Sequence, residues 1–117
     1  MRIAYSLGSL LTVNQVIECT KILSHYKPDI IWIPETWGME NFSMLSTISQ
    51  ISKAKIGSSI INIYSRSPST IAMGAATVDT ISNGRMILGL GTSSIPIVED
   101  FHGYNFENPV LRMKEYV

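Results

Sequence analysis

Apolar residues along the chain alternate between two spacings. Residues 3–7 read as a short strand. Val13, Val16, Ile17, Leu23 and Tyr26 then recur at separations of three, four and seven, which places them on one face of a helix. Pro28 ends that helix, because its ring cannot continue the hydrogen-bonded turn. The run Asp29-Ile30-Ile31-Trp32-Ile33-Pro34 is almost continuously apolar, as expected of a strand covered on both faces in a parallel sheet. From Asn41, read as a cap, Phe42, Leu45, Ile48 and Ile51 form a second helical stripe. Residues 55–63 are rich in β-branched side chains and predict a third strand ending at Asn62.

Ser67-Pro68 joins an N-cap to a proline at the first helical position, and Asn83-Gly84 supplies a left-handed stop, so a third helix lies between them. Its interior is small (Ala72, Gly74, Ala75, Ala76) and permits close approach to its neighbours. Met86-Ile87-Leu88-Gly89-Leu90-Gly91 reads as a fourth strand, and a short helix is expected from Pro96 to His102-Gly103. Strand plus helix thus recurs about every 25 to 30 residues, which implies an α/β fold with a parallel sheet and right-handed crossovers. Asn108-Pro109 repeats the cap-and-proline signature, with Val110, Met113 and Val117 as the stripe of a helix too short to stand alone. Residues 1–117 are accordingly read as a single partial domain, a fragment truncated in its last helix.

Composition narrows the function classes. Of 117 residues, 45% are hydrophobic and 15% charged, which excludes disorder. Nine basic and nine acidic side chains leave no net field to attract nucleic acid or an anionic membrane, and neither is expected as a partner. Cys19 is alone, so neither an internal disulfide nor a cysteine zinc site can form, and a cytoplasmic home is expected. The apolar runs are broken by Asp29, Glu35, Lys53 and Lys55, well short of the about 18 residues of a membrane span. His25 and His102 stand outside any ligand spacing, and no metal is expected. Gly89-Leu90-Gly91-Thr92-Ser93-Ser94 lacks the last glycine of a dinucleotide fingerprint and the lysine of a P-loop, which argues against nicotinamide or ATP.

Three stretches carry a family resemblance: Trp32-Ile33-Pro34-Glu35-Thr36-Trp37-Gly38, then residues 56–68 from Ile56-Gly57-Ser58-Ser59 to Ser67-Pro68, then residues 81–93 with Ser82-Asn83-Gly84-Arg85. Together they resemble the bacterial-luciferase-like flavin and deazaflavin oxidoreductases. Phe101-His102-Gly103, Phe106-Glu107-Asn108-Pro109 and Arg112-Met113-Lys114-Glu115-Tyr116 are similar to the deazaflavin branch, which includes relatives of methylenetetrahydromethanopterin reductase. The resemblance implies a (β/α)8 barrel, which in full takes about 250 residues, so that this chain is its N-terminal half with four parallel strands.

In such a barrel the chemistry lies where the strands end. Glu35, just after the second strand, is the catalytic candidate: buried at the rim, it could exchange a proton with substrate or coenzyme. Alternatively it caps the next turn or pairs with Arg66. Trp37 either lines the ring pocket or simply packs. The resemblance also implies a non-proline cis peptide at Ser59-Ile60, behind the coenzyme ring. Thr36, Ser58, Ser59, Ile60, Asn62, Gly91, Thr92 and Ser93 are the cofactor-binding candidates. Ser58 and Asn62 face the alternative of satisfying nearby backbone, Gly91 of serving a tight turn, and His102 is favoured as structural. Deazaflavin alcohol and sugar dehydrogenases often carry a histidine after the strand-two acid. Thr36 stands there, so those substrates are not implied.

The first expectation is therefore an oxidoreductase, or its N-terminal part, moving a hydride between coenzyme F420 and a small organic substrate such as a methylenetetrahydromethanopterin-like pterin. Two alternatives accompany it: an FMN-dependent monooxygenase, and a non-catalytic half-barrel that self-associates or binds a ligand without turnover. The expected partners are a second copy, through helices two and three, or the other half of the barrel.

Overall fold

The computed structural model describes all 117 residues. Strands β1 (Ala4–Ser6), β2 (Ile30–Ile33), β3 (Lys55–Ser58) and β5 (Met86–Ile87) form one sheet in that order, and every pairing is parallel. Register explains the core. Ile31 lies opposite Ile56, and Ile56 opposite Met86. This row faces Val16 of α1 (Val13–His25), Met44, Leu45 and Ile48 of α2 (Asn41–Ile51) and Val78 of α3 (Pro68–Ser82) in a single apolar cluster. On the opposite face Trp32 pairs with Gly57, and the indole occupies the space a Cβ at Gly57 would need.

The helices begin and end for local reasons. Thr12 and Gln15 form a reciprocal capping box at α1. Only the middle of the expected α1 stripe is covered: Val16 is buried, whereas Val13 and Tyr26 are exposed. α2 differs from the sequence reading by one residue. Glu40, not Asn41, is its cap, accepting from the Phe42 and Ser43 amides, while Asn41 is drawn inward to donate to the Ile33 carbonyl at 2.7 Å. α3 has the expected ends, with Ser67 accepting from the Thr70 amide and Asn83 in the left-handed conformation.

The third and fourth strands, read as continuous, are each split in two. The third breaks at Ser59–Ile60, whose peptide bond is cis, and resumes as β4 (Ile61–Asn62). The fourth breaks at Leu88 and Gly89 and resumes as β6 (Leu90–Gly91), the parallel partner of β4. The cause is an exchange across the break: the Ser58 hydroxyl donates to the Gly89 carbonyl at 2.9 Å and accepts from the Gly89 amide at 2.8 Å. These bonds stand in for ladder bonds.

Beyond β6 the chain winds one π-helical segment (Pro96–Phe101) and the short α4 (Pro109–Tyr116). The expected α4 cap is corrected, and of the expected stripe only Met113 is covered. Asn108 has a left-handed backbone with no side-chain cap bond, and Val110 and Val117 are exposed. Met113, joined by Tyr116, Leu90 and Phe106, packs on a second small core of Ile63, Tyr64 and Val98. The α4 backbone follows the proline signature, but its covered face is set by Tyr64, distant in sequence.

Candidate functional site

Because all the strands run parallel, the residues that follow them gather at one rim. Behind β2 stands Glu35, its side chain only 9% exposed. Its two oxygens accept from both terminal nitrogens of Arg66, Oε1 at 2.5 Å and Oε2 at 2.6 Å, in a bidentate pair. Oε1 also accepts from the Asn41 amide at 3.2 Å. Both alternatives weighed for Glu35, pairing with Arg66 and holding the next turn, are thus present together. Arg66 Nη2 reaches Glu40 Oε1 at 2.6 Å, Nη1 reaches the Ser65 hydroxyl at 3.3 Å, and the guanidinium lies 5.3 Å from the Phe42 ring centroid.

Two of these groups titrate away from their ordinary values. The hydrogen bonds and charge of Glu35, joined by Glu40, outweigh burial and raise Arg66 further, so it stays cationic. Burial pulls Glu40 upward, but hydrogen bonds from Ser43 and Phe42 and the nearby Arg66 charge prevail and hold its carboxyl below the usual value.

The Glu35–Arg66 pair floors a cleft of about 230 Å³ whose walls include Thr36, Trp37, Phe101 and His102. Trp37 and Phe101 meet edge to face at 5.5 Å between centroids, and Phe101 meets His102 at 5.0 Å. The cleft therefore joins the loop after β2 to the π-helical segment after β6. Trp37 and Phe101 each remain about half exposed.

None of the candidates from strands three and four lines that cleft. Ser58 is buried, with its hydroxyl engaged to Gly89, the backbone-satisfying alternative. Asn62 is 1% exposed. Its Oδ1 accepts from the Tyr64 amide at 2.9 Å, while its Nδ2 is buried without a partner. Ile60 covers Gly91, and a Cβ there would come within 2.6 Å of the Ile60 side chain. Ser59 is exposed, Thr92 and Ser93 are half-buried, and Ser93 has a left-handed backbone with φ of 61°.

Sequence reasoning did not single out Glu40, Asn41 or Phe101 as site residues. Asn41 is fully buried with an unpartnered Oδ1. Glu40 was passed over because Asn41 beside it is the more usual cap residue, and Phe101 lay in a segment with no regular period.

A model of the luciferase-like monooxygenase family matches residues 3–117. A protein of Mycobacterium tuberculosis, provisionally assigned as a coenzyme F420-dependent oxidoreductase, is 37% identical over 90 residues, covering 76% of this chain and 26% of that protein. The 5,10-methylenetetrahydromethanopterin reductase of Archaeoglobus fulgidus is 33% identical over 91 residues, covering 76% and 27% respectively. The match thus spans about a quarter of these curated relatives. Among solved structures, the F420-dependent tetrahydromethanopterin reductase of Methanopyrus kandleri superposes with a TM-score of 0.83 at 23% identity over 98% of this chain and 38% of that one. The oxygenating constituent of 3,6-diketocamphane monooxygenase from Pseudomonas putida, in complex with FMN, gives 0.84 at 16% identity over 99% and 37%. At these identities the superpositions establish the fold: an α/β arc forming one half of a TIM barrel.

Proposed function

The chain belongs to the luciferase-like monooxygenase family, and from that premise we propose that it forms the first part of an oxidoreductase transferring a hydride between coenzyme F420 and an organic substrate, a reduced pterin being the class proposed. The observation that carries the reading is Asn62: a buried amide donor with no partner, at the rim end of β4. A buried donor left unpaired costs about 1–3 kcal/mol, and a ring carbonyl would satisfy it. Gly91 leaves room for the Ile60 side chain, which a Cβ there would displace. In this reading a flat, acceptor-bearing ring is held by Asn62, Ser59, Ile60, Gly91, Thr92 and Ser93, with Ser58 fixing the strand joint behind them and Thr36 contributing from the mouth of β2.

The coenzyme, when bound, supplies the carbon that gives or takes the hydride. The chain's own residues position, exclude water and handle protons. Arg66 holds Glu35 in place. For Glu35 to exchange a proton at Oε2, Arg66 Nη1 must let go, and the Ser65 hydroxyl at 3.3 Å already offers it a second acceptor. Trp37 and Phe101 shield the cleft above that pair.

Titrating the full chain with F420 and, separately, with FMN tests this, following coenzyme fluorescence. The reading expects saturable F420 binding, weaker than micromolar because only part of the barrel is present, preferred over FMN and abolished in Asn62→Leu. Preference for FMN would favour the monooxygenase reading, supported by the fold shared with an FMN-bound enzyme. Saturable binding of neither would leave a non-catalytic half-barrel. No helix is long and apolar enough to cross a membrane. We place the activity in the cytoplasm, with a homodimer through α2 and α3, where Met73 is 72% exposed, as the proposed assembly.

A further inference from the structure

Arg66 belongs to no regular element. It lies in the loop between β4 and α3, where Asn62 organises the backbone: its Oδ1 accepts from the Tyr64 amide, and its carbonyl from the Ser65 amide and hydroxyl. Hydrogen bonds from far along the chain also reach this loop, and one of them ends on Arg66 itself. Tyr116, in the last turn of α4, donates its hydroxyl to the Arg66 carbonyl at 2.9 Å. The same hydroxyl accepts from Arg112 Nη2 at 3.3 Å, and Arg112 Nε donates to the Ile63 carbonyl at 3.3 Å. The Arg112 guanidinium sits over the Tyr64 ring at 4.5 Å and over the Tyr116 ring at 5.4 Å, so it is stacked as well as bonded.

From this we infer that Tyr116 is a positioning residue for the Glu35–Arg66 pair, acting through the Arg66 main chain. The bidentate pair needs the guanidinium plane set against the Glu35 carboxylate within a few tenths of an ångström. The side chain is tied to Glu35, Glu40 and Ser65, and the main chain behind it is tied to α4. Losing the Tyr116 bond frees the Arg66 carbonyl to turn, and the side chain turns with it. Arg112 orients the Tyr116 hydroxyl so that its proton points at the carbonyl. The helix of the fourth βα unit thereby sets the charge pair at the mouth of the second strand. This inference rests on the site reading for its functional meaning, but its measurement needs no coenzyme.

The test uses the full chain labelled with nitrogen-15. The guanidinium N–H signals of Arg66, assigned by their absence in Arg66→Lys, report its pairing through their exchange with solvent. Tyr116→Phe removes one oxygen and keeps the ring packed on Tyr64. Expected is about fivefold to tenfold faster exchange at Arg66, the factor that one hydrogen bond carries. Tyr64→Phe is the control: it breaks the hydroxyl bond to the Glu107 carbonyl and loosens the same small core without touching Arg66. It should lower stability and leave Arg66 exchange unchanged. In a Glu35→Gln background, the Tyr116→Phe effect on Arg66 should shrink to near nothing. Equal effects of the two tyrosine variants, an unchanged Arg66 signal in Tyr116→Phe, or an undiminished effect in Glu35→Gln would each overturn the inference. Should F420 and FMN both fail to bind while Arg66 responds as stated, the coenzyme reading falls and the positioning role stands.

Discussion

Glu40 does two things with one carboxylate: it caps α2 through the Phe42 and Ser43 amides and shares Arg66 with Glu35. Its folded value is depressed, so the stability it contributes is complete above the ordinary carboxylate value and disappears as pH falls through the depressed one. Glu40→Gln is therefore expected to cost about 1 kcal/mol at neutral pH, the usual worth of a cap, with the two proteins converging as the pH falls below the depressed Glu40 value in thermal unfolding followed by circular dichroism. Ser58 and Gly89 show what residue identity leaves undecided. A serine at a strand end reads as a ligand contact, yet its hydroxyl is matched to a backbone 31 residues away, a pairing that no local pattern encodes. Gly89 is required there because an added Cβ would collide with the Ser58 carbonyl oxygen. Gly89→Ala should therefore destabilise by about 1–3 kcal/mol in urea unfolding, as overpacking does, whereas Gly38→Ala, with nothing near its Cβ position, should be close to neutral.

Elements were legible where their determinants are local. Ser67-Pro68 and Asn83-Gly84 bound α3 within a few residues of sequence, and both ends form as read. The breaks in the third and fourth strands were not legible, because β-branched composition reports extended backbone and says nothing of which carbonyl a neighbouring strand offers. Nor was the anchor of α2. Arg85, noticed only as part of a turn motif, donates to the carbonyls of Ser49, Ser52 and Ala54 around the end of α2, and to Ser82 at the end of α3. A planar guanidinium reaches these acceptors at once, which an ammonium cannot. Arg85→Lys should cost about 2 kcal/mol or more, with hydrogen exchange accelerating first in the last turn of α2. An even loss of protection across all helices would show that the guanidinium has no special hold on that end.

At the scale of the whole molecule, the period of strand and helix was enough to predict a parallel α/β sheet, and the family resemblance implied half a barrel, but neither shows how little of that half is covered. Only 24 of 117 residues are buried, and the chain extends 43 × 27 × 26 Å, because the core lies between sheet and helices while the opposite sheet face has no facing layer. The sheet is open at β1 and β5, and Leu88, beside β5, is 39% exposed. Unpaired edges with apolar side chains favour association, and a lysine is the usual defence. The chain is therefore expected to associate in a concentration-dependent way in sedimentation velocity, and Leu88→Lys to weaken that association without moving the unfolding midpoint, since the side chain already meets solvent. Met73→Lys separates this from the other apolar surface. If Met73→Lys dissociates the species and Leu88→Lys does not, the contact lies on the α2–α3 face and the open edge is tolerated by the monomer. If Leu88→Lys alone dissociates it, strand-edge pairing holds the copies together.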